Sequence, residues 1–284
     1  MRLLSITCFY IALFSINASA QQIQLQSNDM ILNAEYLEGD NSKNPVVILH
    51  GLLQTHHFST VTRLATALNE SGYTVLSPTL SLGISNRKKS LSCEAIHTHS
   101  MNSDTAELKK WIKWLNNKTG NKVNLIGHSA GGTTVLNYLE KHKTDFINKI
   151  ALISLSYYAS GPIANETEQH KKLALKHLNN KNKKIHNYAL NYCINYPSYA
   201  QEFLSYYEWD TVKVSNTVGS FKEKISIIIG TGDKRIDSDW REKLNDKYNN
   251  VVSIEGANHF FDQSHEFELI DTIEELLDLK SQPL

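Results

Sequence analysis

Gly127-His128-Ser129-Ala130-Gly131 sets a serine between glycines, directly after an apolar strand and at the head of a helical segment. On such a strand-to-helix turn the hydroxyl is thrust clear of the sheet edge, where a base can take its proton and leave an oxygen nucleophile. At about 7% usage per fixed residue the bare pattern would arise by chance in roughly one chain in ten of this length, so the surrounding residues must give it weight. A base is available in Gly256-Ala-Asn-His259-Phe260, a loop following the strand-like Val251 to Glu255. Asp233, in Gly230-Thr-Gly-Asp233, follows another apolar strand and is placed to orient the imidazole and stabilise its charged form. Asp237 is the alternative acid, and its competing role is to cap the helix that begins beside it. A negative oxygen developing on a substrate needs amide donors. The N–H of Ala130, at a helix amino terminus, and that of Leu52, in His50-Gly51-Leu52-Leu53, are the candidates.

The elements that must hold these residues alternate between strand and helix character, the pattern of a mostly parallel sheet flanked by helices. Ile23 to Gln26 and Met30 to Leu37 read as an antiparallel edge. Pro45 to His50 reads as a strand buried on both faces, and Tyr73 to Ser77, Val123 to Gly127, Ile150 to Leu155, Ile225 to Gly230 and Val251 to Glu255 read as further strands. Between them, Phe58 to Asn69, Asp104 to Asn117, Ala130 to His142 and about Ser238 to Tyr248 show helical spacing, and a last helix runs from about His265 to Leu279. One stretch breaks the rhythm. Residues 157 to 222 are polar and dotted with tyrosines, and too long for a structureless loop, so they predict a helical cap over the carboxyl edge of the sheet. The competing reading is a poorly ordered surface insertion.

Taken together, His50-Gly51-Leu52, the Ser129 turn, Asp233 and His259, in the chain order Ser, Asp, His, resemble an α/β-hydrolase of the esterase and lipase branch. The similarity covers about Gln22 to Leu279 outside the cap. It implies an α/β-hydrolase fold, with Ser129, Asp233 and His259 catalytic and Leu52 and Ala130 forming the oxyanion hole. It further implies transfer of an acyl group from a small-molecule ester to water through Ser129, with no cofactor. Dehalogenases of this fold use aspartate where this chain has Ser129, which excludes that branch. Cleavage of an amide or peptide needs the same residues and stays open, as does a noncatalytic binding protein of the same fold.

The 284 residues are 41% hydrophobic, enough for one substantial core, and 21–284 reads as a single domain. Lys+Arg and Asp+Glu both number 29, so charge calls for neither nucleic acid nor an anionic membrane. Residues 1–20 have the layout of a signal peptide: Arg2, an apolar run from Leu3 to Ile16, then Ala18-Ser-Ala20. This predicts a secreted or periplasmic protein without a stable membrane anchor after cleavage. Cys93 and Cys193 remain in the mature chain and either bond to each other or stand as two thiols. His56-His57 and His97-x-His99 could line the cleft or lie on the surface. A metal reading is not favoured, because neither an HExxH helix nor a nearby carboxylate cluster supplies a third ligand. Arg87, in the loop after Tyr73 to Ser77, reads either as a receptor for an anionic substrate group or as a solvated loop residue.

Overall fold

The computed structural model describes residues 20–279, so the expected leader falls outside it except for Ala20. β1 (Gln21–Ser27) and β2 (Met30–Leu37) form an antiparallel hairpin turned at Asn28, whose φ is 53°. There follow β3 (Val46–Leu49), α1 (Ser59–Glu70), β4 (Val75–Thr79) and α2 (Met101–Thr119). Next come β5 (Val123–His128), α3 (Ala130–Lys141) and β6 (Ile147–Ile153). An insertion carries α4 (Ala164–Asn179), β7 (His186–Leu190), β8 (Cys193–Ser198), α5 (Ala200–Tyr207) and α6 (Thr211–Ser220). The chain then returns with β9 (Ile225–Gly230), α7 (Ser238–Lys247), β10 (Val251–Ile254) and α8 (His265–Asp278).

Eight strands make one sheet in the order β1-β2-β4-β3-β5-β6-β9-β10. β2 meets β4 antiparallel, and every pair from β4 to β10 is parallel. β3 and β5 are buried along their whole length, which is why β3 runs apolar without alternation. On one face α1 and α8 contribute Val61, Leu64, Leu68, Leu269 and Ile273 to the core. On the other, α2 and α3 contribute Leu108, Trp111, Ile112, Leu136 and Tyr138. The parallel strands therefore bring their carboxyl ends to one edge, where the loops carrying Leu52, Ser129, Asp233 and His259 meet.

α2 begins at Met101, three residues before the expected Asp104. The cause is a reciprocal capping box: the Ser103 N–H donates to the Ser100 hydroxyl, and the Ser103 hydroxyl accepts from the Ser100 N–H. The insertion also differs from a purely helical cap, because β7 and β8 form an antiparallel hairpin between α4 and α5. Tyr188 and Tyr196 sit opposite each other in it, both buried, and Tyr188 stacks on Phe203 of α5 with ring centres 4.5 Å apart.

That hairpin is fastened to the loop preceding α2. Cys93 and Cys193 are joined by a disulfide across 100 residues of sequence, so of the two readings open for the pair it is the bridge that forms. His97 lies flat on Tyr196, with ring centres 3.9 Å apart, and its N–H donates to the Pro197 carbonyl at 2.8 Å. His99 bonds the Tyr206 hydroxyl and Asp104 through Nδ1, and its Nε2 meets the Tyr196 hydroxyl at 3.3 Å. His97 and His99 are thus buried members of a clamp between body and insertion, not surface residues.

Candidate active site

Ser129 adopts φ 53° and ψ −125°, a conformation that costs a non-glycine residue about 1–3 kcal/mol and persists only where the surroundings enforce it. Its N–H donates to the Ile153 carbonyl at 2.8 Å, and its carbonyl accepts from Gly132 at 2.9 Å. The flanking glycines are required by close approach. A Cβ on Gly131 would lie 2.5 Å from the His50 carbonyl oxygen, and one on Gly127 would lie 2.6 Å from the Gly132 Cα. Larger residues would push α3 away from the ends of β3 and β5.

The Ser129 Oγ lies 3.0 Å from His259 Nε2, and His259 Nδ1 lies 2.7 Å from Asp233 Oδ2. A carboxylate accepts only, so His259 carries its proton on Nδ1 and presents a lone pair to the serine hydroxyl. Asp233 is 1% exposed, and its second oxygen accepts the Arg235 N–H at 2.8 Å. Asp237 is elsewhere: it accepts from the Tyr157 hydroxyl at 2.8 Å and from the Gly161 N–H at 3.3 Å. Its side chain does not cap α7 but holds the start of the insertion.

Two histidines that sequence reasoning quoted without a role brace this site. His128, between Gly127 and Ser129, donates from Nε2 to the His259 carbonyl at 2.9 Å, and the Ser154 hydroxyl donates to the same oxygen at 3.0 Å. The His259 backbone is thereby pinned from two strands. His50 donates from Nδ1 to the Gly51 carbonyl at 2.8 Å and accepts the Leu80 N–H on Nε2 at 3.1 Å. The Gly51–Leu52 peptide is trans, so fixing that carbonyl aims the Leu52 N–H to the opposite side. The Gln54 side chain accepts the Gly51 N–H, and the Tyr192 hydroxyl from the insertion donates to the Leu52 carbonyl at 3.0 Å. Neither the Leu52 nor the Ala130 N–H is bonded to another described residue. Burial holds His50 and His128 down to about 3, aided for His50 by Arg87 and for His128 by His259, so both are neutral donors at any ordinary pH. Histidine in a tight motif beside glycine was the available signal for both. Only the fold shows which carbonyls they reach.

Arg87 contradicts both of its expected roles. It is 4% exposed and donates to the carbonyls of Leu80, Gln54 and Lys89 at 2.6 to 2.8 Å, beneath the Leu52 loop. It is a buried brace whose donors are taken up by main-chain carbonyls. The His56-His57 pair needs a different correction, since Glu35 of β2 brings a carboxylate to it and one ligand atom from each of the three lies within 4.8 Å of the others. Two imidazoles sharing a zinc at ~2.1 Å hold their ring centres about 5 Å apart. Here they pack at 3.9 Å, and His56 Nδ1 is bonded to the Thr79 hydroxyl.

Above Ser129 opens a cavity of about 600 Å³, bounded by Leu52 and Phe58 on the body and by Ser160, Asn191 and Tyr192 on the insertion. The insertion therefore forms one wall of the space next to the serine. The fold is the α/β-hydrolase fold: a family model described as alpha/beta hydrolase fold matches residues 44–173. No curated protein matches the chain. Among solved structures it is similar to Est1E from Butyrivibrio proteoclasticus with ferulic acid bound, at 17% identity and a TM-score of 0.64, over 90% of this chain and 97% of that one. It is also similar to a Paleococcus ferrophilus monoacylglycerol lipase, at 19% identity and a TM-score of 0.59, over 87% and 98% of the two chains. A bromoperoxidase from Bacillus anthracis is similar at 20% identity and a TM-score of 0.57, over 91% and 100%. Likeness at these identities concerns the fold, which hosts more than one chemistry.

Proposed function

We propose that the chain is an exported serine hydrolase that cleaves a carboxylic ester of a small molecule. The observation that carries this reading is the hydrogen-bonded series Ser129, His259, Asp233, opening into a cavity beside two unbonded amides. In this mechanism His259 Nε2 takes the Ser129 proton as Oγ attacks the ester carbonyl carbon. The carbonyl oxygen becomes an oxyanion held by the N–H groups of Leu52 and Ala130, a contribution typically worth about 3–4 kcal/mol per donor. Collapse expels the alcohol, which takes the proton from His259 and leaves the acyl group on Ser129. Water then enters, gives its proton to His259, attacks the acyl carbon and releases the acid with Ser129 restored.

The ester preference is supported by the esterase and lipase among the similar folds, one of them holding ferulic acid. Export is supported by the layout of residues 1–20 and by the Cys93–Cys193 bond, which is at home in an oxidising compartment. Among the described residues no helix is long and apolar enough to cross a membrane. Assays of 4-nitrophenyl esters of graded length beside matching aminoacyl amides test the activity. The expected result is ester turnover that falls by about 10⁴-fold or more in Ser129→Ala. Turnover of amides alone would replace this reading with a peptidase, and turnover of neither would leave a binding protein of the same fold.

A further inference from the structure

We infer that the substrate carries an anionic group near its scissile ester and that Arg235 receives it, a proposal that rests on the hydrolase reading. Arg235 lines the same cavity as Ser129 and His259. Among the described residues no carboxylate side chain lines that cavity. Its other polar walls are hydroxyls and amides, such as Ser160, Asn191 and Gln54, so the arginine is the lone permanent charge among the lining residues. Its guanidinium has neither an ion pair nor a hydrogen bond to any described residue. Instead it lies over two rings, with the guanidinium carbon 4.8 Å from the centre of Phe260 and 5.6 Å from that of Tyr192.

This platform is tied to the reacting groups on every side. Phe260 follows His259 directly, Tyr192 donates to the Leu52 carbonyl, and the Arg235 N–H is held by Asp233. The charge is therefore set at a defined offset from Ser129, although the side chain itself is solvent-exposed. Aromatic faces orient a guanidinium while leaving its N–H fork unused, and that fork matches a carboxylate bidentately. A neutral ester would leave the fork to water. An ester with a carboxylate on its acyl or alcohol part would gain a charge-assisted pair in a cavity free of competing acids. Arg87, the arginine whose loop position suggested anion binding, is buried in carbonyl contacts, whereas Arg235 has both the position and the vacant donors.

The test compares charged and neutral esters in wild type, R235Q and R235K. One pair, 4-nitrophenyl hemiglutarate against 4-nitrophenyl valerate, places the anion on the acyl side. The other, 4-carboxyphenyl butyrate against phenyl butyrate, places it on the alcohol side. In at least one pair R235Q is expected to lower the charged-to-neutral ratio of kcat/KM by about ten- to a hundredfold, the usual weight of a hydrogen bond to a charged group. Neutral-ester turnover stays within about twofold, R235K recovers part of the loss, and added salt lowers the wild-type ratio. Equal ratios in wild type and R235Q for both pairs would overturn the proposal while leaving the hydrolase reading intact. Calorimetry of glutarate binding to Ser129→Ala, with and without R235Q, reads the anion site without turnover. Equal affinity in the two backgrounds would also overturn it, and absence of all ester turnover would instead remove the reading beneath it.

Discussion

Asp233→Asn is expected to lower kcat by about 10³- to 10⁴-fold while the protein stays folded. The reason lies in the two oxygens of Asp233. One accepts the Arg235 N–H, and an asparagine oxygen can keep that bond. The amide NH₂ then faces His259 Nδ1, from which Asp233 now accepts a hydrogen bond. Two donors cannot share that position, so the imidazole shifts its proton to Nε2 and can no longer take one from Ser129. Asp237→Asn is the control, because its carboxylate serves Tyr157 and Gly161 and touches no part of the series. Steady-state kinetics of the two variants, with circular dichroism to confirm folding, decide the matter. A collapse of kcat in Asp237→Asn but not in Asp233→Asn would reverse the assignment.

Acidification is expected to destabilise the protein from about pH 6.5 downward, before most of its carboxylates begin to be protonated. Burial keeps His50 and His128 neutral in the folded state down to about 3, whereas in the unfolded chain they titrate near 6.5. Below 6.5 the unfolded state therefore binds protons that the folded state refuses. The stability these residues contribute is complete above 6.5 and is lost as pH falls from 6.5 toward 3, at about 1.4 kcal/mol per pH unit for each. His56 and His97, held at about 4 by burial, act in the same direction. Glu107, raised to about 7 by burial, opposes them by one proton between 4.5 and 7. Most of an ordinary stability of about 5–15 kcal/mol is then gone by about pH 4. Urea unfolding followed from pH 8 to pH 4.5 should show a midpoint that falls steadily below 6.5, with a shallower fall in His50→Gln. A midpoint independent of pH over that range would contradict the burial of these histidines.

The same two histidines show where sequence ends. The alternation of strand and helix, the apolar run of β3, and the relation of Ser129, Asp233 and His259 to strand ends are local or ordered along the chain, so periodicity and chain order expose them. His50 and His128 stand in the very motifs that drew attention, yet the carbonyls they hold belong to backbone whose direction only the folded turn defines. Arg87 is 37 residues from His50 and 33 from Gln54 in sequence, and nothing in its polar loop reports that it is enclosed. Glu35 reaches the His56-His57 pair only because β2 joins β4 at the antiparallel side of the sheet. The β7–β8 hairpin has no sequence signature, because its tyrosines sit among lysines and asparagines, without the alternation that marks a longer strand. Arg235 stands two residues from Asp233, but its meaning comes from the two rings beneath it, which sequence does not bring together.

The central claim is that Ser129 is the nucleophile, and covalent labelling tests it most directly. The protein is treated with a fluorophosphonate, its intact mass is measured, and the adduct is mapped by peptide mass spectrometry. The expected result is a single adduct on Ser129, absent from Ser129→Ala and formed much more slowly in Asp233→Asn. An unlabelled wild-type protein, or an adduct on any residue other than Ser129, would contradict the account.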